Sequence, residues 1–471
     1  MVHDTLSPAN MEMAQIPTHR VTNLVIPEIR ELIATNQTAE ILLALSEWHP
    51  VDLAELLEDL NEGTERLTFF RAWEQDDALW IFNELEPETQ AELLESLTQR
   101  ERSWLLNAMP PDERADLFGE IEDEERIRLL TLVSSRTRQD IQHLLRYDPD
   151  TAGGIMTTAY VAIPDALTCE DGTRVLRQVA EGVETIYVVY ATNFDGRLTG
   201  VLSLRDLILA RATQTISEVM ERKVIFARVD EDQEDVAHRL RTYDLVAIPV
   251  VDETERLVGV VTVDDVLDVI HEENTEDSLR MAAITTPDES TPYVDASPWI
   301  LARQRVTWLL VLVLAGFVSG LVLERYSGIM EVMIILTFFI PVLTGSGGNA
   351  GTQVSTTIVR SLATKELSPG DVFMVLRKEL AAGLIVGIVM GLLVAVRVWM
   401  MDPDPLMVIT VGCTMTVVVI SAILLGGMLP LFLKKIGLDP ALMSSPLITT
   451  VTDSLTLLIY FEIARRLLSP S

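Results

Sequence analysis

The sequence predicts a multidomain membrane protein: an all-α superhelical N-terminal domain, a tandem α/β module, an acidic connecting helix and a five-helix transmembrane domain. Three observations carry this. Charge is divided very unevenly, with 24 basic and 59 acidic side chains in residues 1–290 against 12 and 11 in residues 291–471. The less charged part contains four long uncharged runs and a fifth whose only charge is Asp453. Within the acidic part, a pattern of strand, glycine turn, strand and aspartate recurs at an offset of 59 residues. The expected divisions are a tail (1–27), an acidic helical domain (28–150), the tandem module (151–273), a connecting helix and linker (274–299) and the membrane domain (300–471).

In the first domain apolar positions recur at three and four residues in Ile41–Leu45, Asp52–Leu60, Thr89–Leu97 and Arg114–Ile121. Pro50, Pro87 and Pro111 stand just ahead of three of these, where a helix's first turn has no use for the missing N–H. Short helices with such starts predict a superhelical stack. In the tandem module Arg197–Leu207 (RLTGVLSLRDL) aligns with Arg256–Val266 (RLVGVVTVDDV), and methionine-bearing starts, Gly153–Thr158 and Ser217–Arg222, precede the two copies. Each copy reads as an apolar strand, a glycine turn, a second strand and an aspartate opening a helix. The next segment, Val263–Ile284, reads as a helix followed by a linker. Asp264, Asp265, Asp268, Glu272, Glu273, Glu276 and Asp277 crowd its length. A solvated face explains most such charge runs, but like charges at helical spacing destabilise an isolated helix, and this one leads to the membrane domain.

Five spans are expected: Val306–Leu323, Val332–Val359, Leu380–Val396, Pro405–Leu433 and Pro440–Phe461. Each lies near or above the ~20 residues that cross a bilayer. With the acidic half inside, eight basic residues flank the spans on the cytoplasmic side and four on the other, which obeys the positive-inside rule and leaves the C-terminus outside. The last span carries a single charge, Asp453. An ionised group at mid-bilayer costs about 2.5–3.5 kcal/mol on insertion scales, so it must face protein, water or a cation. A buried ion pair or a proton carrier would also account for it, but the middles of the other spans hold no Lys or Arg. In the second span Gly345, Gly347, Gly348 and Gly351 fall close together with Asn349. Helix packing explains such a stripe. A broken or tightly packed helix whose free carbonyls line a water-filled path explains it equally.

Oxygen ligands alone suit hard cations such as Mg²⁺, which keeps most of its water and is held by one or two carboxylates. One Asp per chain is sparse, and two chains on a two-fold axis would supply a pair; a homodimer is therefore expected. The strong negative charge disfavours nucleic acid and anionic lipid as partners. Cys169 and Cys413 fall in different halves, the histidines show no metal-ligand spacing, and no nucleophile and base can be assembled, so no enzyme is expected.

Residues 151–273 resemble a tandem pair of cystathionine-β-synthase (CBS) domains. In many such pairs a Ser/Thr-x-x-Asp turn binds an adenosine ribose, which points to ATP at Ser203, Arg205 and Asp206, with Thr262 to Asp265 as the second copy; a purely structural module is the other reading. The whole arrangement, with PVLTGSGGNAGTQ in the second span, GLDPALMSSP entering the fifth and TDSLTLLIY within it, resembles the MgtE family of magnesium channels. That resemblance implies a homodimer in the plasma (inner) membrane taking up Mg²⁺. It places the ion at Asp453, with oxygens around Gly345, Asn349 and Thr449. It also implies closure by cytosolic Mg²⁺ at Asp244, Asp265, Asp268, Glu273, Glu276, Asp277 and Asp439. Thr352 stands where the family more often has Asn. An ion-coupled divalent cation carrier using the same Asp is the alternative.

Overall fold

The computed structural model describes residues 18–61, 63–284, 296–442 and 445–468. The chain forms two compact units, Met1–His271 and Glu272–Ser471.

The first unit opens with short helices running from Thr18 to Leu144. Pro50, Pro87 and Pro111 take first-turn positions as the pattern predicts. Leu56, Leu57, Phe69, Ile81, Phe82, Leu105, Leu106 and Phe118 fill one continuous core along the stack. The ends are tied as well as packed. At the start of Gln99–Ala108, Glu101 closes a capping box with Thr98 and accepts both arms of Arg71 at 2.8 Å. That guanidinium holds the Glu101 carboxyl down at about 2. One expectation needs correcting: the segment 1–27 is not a tail throughout, because a helix begins at Thr18 and runs to Ala34 through Pro27. Ile26, Ile29 and Ile33 are buried along it, so tertiary packing offsets the hydrogen bond that Pro27 cannot donate. Residues 1–17 lie outside the described residues, as does the Thr285–Pro292 linker.

The tandem module builds two three-stranded sheets. In the first, β1 (Ala162–Pro164) pairs parallel with β2 (Val188–Thr192), which pairs antiparallel with β3 (Leu198–Ser203). In the second, β4 (Ala227–Arg228), β5 (Ala247–Val251) and β6 (Leu257–Thr262) repeat the order. The methionine-bearing starts cross over. Met156, ahead of the first copy, packs on Gly259 of the second, and Met220, ahead of the second, packs on Gly200 of the first. Backbone bonds follow: the Thr157 N–H donates to the Val260 carbonyl and the Thr157 carbonyl accepts from the Val260 N–H, while Val201 and Glu221 exchange bonds in the same way. Neither sheet is complete without a strand-side segment from the other copy.

The connecting helix α1 (Val263–Met281) starts in the first unit, and its residues from Glu272 onward belong to the second. Five helices there are long and apolar enough to cross a membrane: α2 (Pro298–Arg325), α3 (Ile340–Ala363, preceded by a 3₁₀ segment Ile334–Phe339), α4 (Val372–Met401), α5 (Pro405–Lys435) and α6 (Ser445–Leu468). The first, third and fourth expected spans lie wholly within these helices, whereas the second begins at Ile334 instead of Val332 and the fifth at Ser445 instead of Pro440. α5 is the most enclosed and α2 the least. Close approach relies on glycine. Gly347 meets Thr456 and Val418, Gly351 meets Ile448 and the Ala422 carbonyl, and Gly426 lies directly on the Gly351 backbone. Gly387 and Gly391 bring α4 against Thr416 of α5 in the same manner. Tyr460 is fully buried and donates to the Leu336 carbonyl at 3.0 Å, anchoring α6 to the 3₁₀ segment.

Candidate metal centres

In the membrane domain α3 is a continuous helix through Gly345–Gly351. The expectation of free carbonyls at a break is therefore corrected: the glycines allow tight packing, and the helix keeps its own hydrogen bonds. The stripe divides in two. Gly347, Gly348 and Gly351 are buried against α5 and α6, whereas Gly345 has nothing within 4 Å of where a Cβ would stand. Asn349 is one turn from Gly345 on the same exposed row, and Gln353, Thr356 and Thr357 continue it.

On α6, Thr449 and Asp453 are one turn apart and so share a face. Thr449 lies against Gly348, with its Cγ2 3.0 Å from the position of a Cβ there. The four pore candidates, Gly345, Asn349, Thr449 and Asp453, thus sit on two helices in direct contact. Asp453 is half-buried, and its neighbour Ser454 hydrogen-bonds Ser319 of α2 at 2.8 Å, which ties the carboxylate's turn to the first span. Thr352 packs near Ser445, 3.5 Å between hydroxyls.

A second concentration of carboxylates lies in the first unit, where three separate segments converge. Asp112 and Glu113 begin helix Pro111–Glu120, Glu184 follows the first copy's helix, and Asp264 and Asp265 begin α1. Burial and then the neighbouring carboxylates push Asp265 up to about 6, Glu184 to about 7 and Glu113 to about 8; Asp112 is raised for the same reasons, although Thr157 donates to it. Asp265 also accepts from Thr262 Oγ1 at 2.6 Å. Of these only Asp265 is readable beforehand; Asp112, Glu113 and Glu184 look in the sequence like ordinary acids at helix starts and turns. Asp244 lies in a turn with φ +51° and is exposed, and Asp268 is exposed on α1.

The third concentration belongs to the second unit. Asp277 is pushed up by burial, by Asp439 and by Glu273, with Arg280 and Lys434 opposing. Arg280 Nη1 donates to Asp439 Oδ2 at 2.7 Å, and its other arm pairs with Glu276 one turn back. Among the described residues no three His, Cys, Asp or Glu side chains close to direct metal-ligand distance.

Ser203, Arg205 and Asp206 stand at the end of β3. Ser203 and Asp206 form a reciprocal capping box, with the Asp206 carboxyl held down by the Ser203 hydroxyl and N–H. Helix capping alone accounts for this pair.

Comparison with known proteins places these features in a family. The magnesium transporter MgtE of Thermus thermophilus is 40% identical over 443 residues, 93% of this chain and 98% of that protein. The chain belongs to the MgtE family of magnesium transporters. The MgtE of Bacillus subtilis is 33% identical over 92% of this chain and 95% of its own length. Family models match in three places: the MgtE divalent cation transporter at 340–463, the MgtE intracellular N domain at 48–150, and the CBS domain at 152–213 and 216–272. A crystal structure of the cytosolic domain of the Mg²⁺ channel MgtE in complex with ATP aligns with 52% of this chain and 99% of its own, at 40% identity and a TM-score of 0.49. The MgtE relatives are named transporters, and the architecture is that of the family: a helical N domain, a CBS pair and five membrane helices.

Proposed function

We propose that this MgtE-family chain is a Mg²⁺ channel of the plasma membrane, working as a homodimer with its C-terminus outside and closed from the cytosol by Mg²⁺ itself. The observation that carries the reading is the exposed polar row Gly345–Asn349–Gln353 on α3, next to Thr449 and Asp453 on α6. Such a row is unfavourable against lipid and favourable against a water-filled path. Two copies related by a two-fold axis would offer two Asp453 carboxylates to one hydrated ion. Backbone and amide oxygens at Gly345 and Asn349 and the Thr449 hydroxyl would receive its water shell.

The carboxylate clusters supply the feedback. Without Mg²⁺, Asp112, Glu113, Glu184 and Asp265 repel one another, as do Glu273, Glu276, Asp277 and Asp439. Mg²⁺ screens and bridges them, and it favours the closed state to the extent that bridging positions exist only there. Asp244 and Asp268, both exposed, are further carboxylates that the same feedback would use. Ser203, Arg205 and Asp206 are the positions at which ATP would engage the CBS pair, its ribose exchanging for the capping contact. The test of the pore is Mg²⁺ uptake into proteoliposomes: Asp453→Ala abolishes uptake while the dimer still elutes at its native size. Flux that survives the substitution overturns the pore assignment. Flux that follows a proton or sodium gradient and ignores voltage identifies a coupled carrier instead.

A further inference from the structure

Arg280 is a cation set directly between two elements that the gating reading brings together. It leaves the connecting helix α1 and reaches the loop between α5 and α6, 159 residues away in sequence. There Nη1 bonds Asp439 Oδ2 at 2.7 Å, while the second arm pairs with Glu276 of its own helix. The other Asp439 oxygen is already committed, accepting the Ala441 N–H at 2.8 Å. A divalent cation that takes Asp439 Oδ2 therefore has to displace the Arg280 guanidinium. Around Asp277 the carboxylates of Asp439 and Glu273 add negative charge, and Arg280 and Lys434 oppose it. The guanidinium thus stands where a bridging metal ion would otherwise be required to join helix and loop.

We propose that Arg280 is a tethered cation that joins α1 to the α5–α6 loop when Mg²⁺ is scarce and is exchanged for Mg²⁺ when it is abundant, so that it positions Asp439 and sets the lower end of the gating range. This rests on the reading of Glu276, Asp277 and Asp439 as regulatory carboxylates. A guanidinium fits the role because it is always charged and holds two carboxylates at once through a planar fork. The pair is partly exposed, so its effect is moderate. Removing it takes away the cation that pairs with both Glu276 and Asp439, and Mg²⁺ can still bridge carboxylates there.

The experiment is Mg²⁺ flux in proteoliposomes of the full chain, with internal Mg²⁺ titrated upward from zero. Arg280→Gln raises flux at the low end by about two- to five-fold, the range of an ion pair at a partly exposed site, and leaves inhibition at high Mg²⁺ intact. Arg280→Lys restores part of the difference. In an Asp439→Asn background Arg280→Gln has no further effect at the low end, which a general loss of stability would not reproduce. An Arg280→Gln curve superimposed on a Mg²⁺-inhibited wild type overturns the inference alone, and so does a full-sized effect in the Asp439→Asn background. A wild type indifferent to internal Mg²⁺ overturns the gating reading beneath it.

Discussion

Glycine positions in α3 and α5 look alike in sequence and do different things. At Gly426 an added methyl would run into the Gly351 carbonyl, with backbone on the far side and no flexible side chain to move away. Gly426→Ala should therefore cost about 1–3 kcal/mol, the usual penalty of overpacking a close contact. It will lower the thermal midpoint of the detergent-solubilised protein. Gly345→Ala meets nothing within 4 Å and should leave that midpoint where it is. Its effect will appear in Mg²⁺ flux, because the methyl projects into the row that faces the proposed path. If both variants lose stability equally, Gly345 is a packing residue after all. The same contrast separates what was readable beforehand from what was not. Asp453 announces itself, since one charge in a long apolar run has few explanations. The split of four neighbouring glycines into three buried and one open depends on which helices lie alongside, and no local pattern records that.

The helices and strands were largely legible. Proline at first-turn positions, apolar spacing in the N domain and the lengths of the uncharged runs each have a local physical cause, so each survives into the structure. What escaped was exchange between elements. The starts GGIMTT and SEVMER precede their own copies, yet each packs on the other copy's glycine strand. A repeat in sequence shows that two units exist and not how they trade segments. Met156 is fully buried in this crossing and Met220 nearly so. Met156→Ala should therefore cost about 2–5 kcal/mol, as truncation of a buried side chain does. Because Met156 lies with Val236, Ile248 and Val261 of the second copy, hydrogen exchange should speed up in β4–β6 more than in β1–β3. Faster exchange confined to β1–β3 would contradict the crossing. The helix from Thr18 escaped for a related reason: Ile26, Ile29 and Ile33 carry the period, but Pro27 interrupts it locally while packing restores it.

At the scale of the whole molecule, a few of the many acidic residues of 1–290 gather where segments distant in sequence converge. Asp112, Glu113, Glu184 and Asp265 come from the N domain, the first CBS copy and the start of α1, which is why the sequence disclosed only the last of them. Their carboxyls titrate at or above about 6 where values are resolved, against the ordinary 4 to 4.5. The folded chain therefore binds more protons than the unfolded chain between pH ~4 and ~8. Since stability changes with pH as the protons bound by the unfolded state minus those bound by the folded state, it must fall as pH rises through that window. On the proposed feedback reading, a divalent cation would replace those protons. Thermal unfolding of the full chain in Mg²⁺-free buffer should show its first transition move down steadily from pH 5 to pH 8. With Mg²⁺ present the slope should flatten, because the ion stabilises the ionised cluster in the folded state only. NaCl at the same ionic strength screens over about 8–10 Å but does not bridge, so it should recover only a minor part of the shift. Asp112→Asn combined with Asp265→Asn should reduce both the pH slope and the Mg²⁺ response. A Mg²⁺ response unchanged in that double variant would mean that the ion stabilises the protein elsewhere and that the cluster is a passive consequence of its net charge.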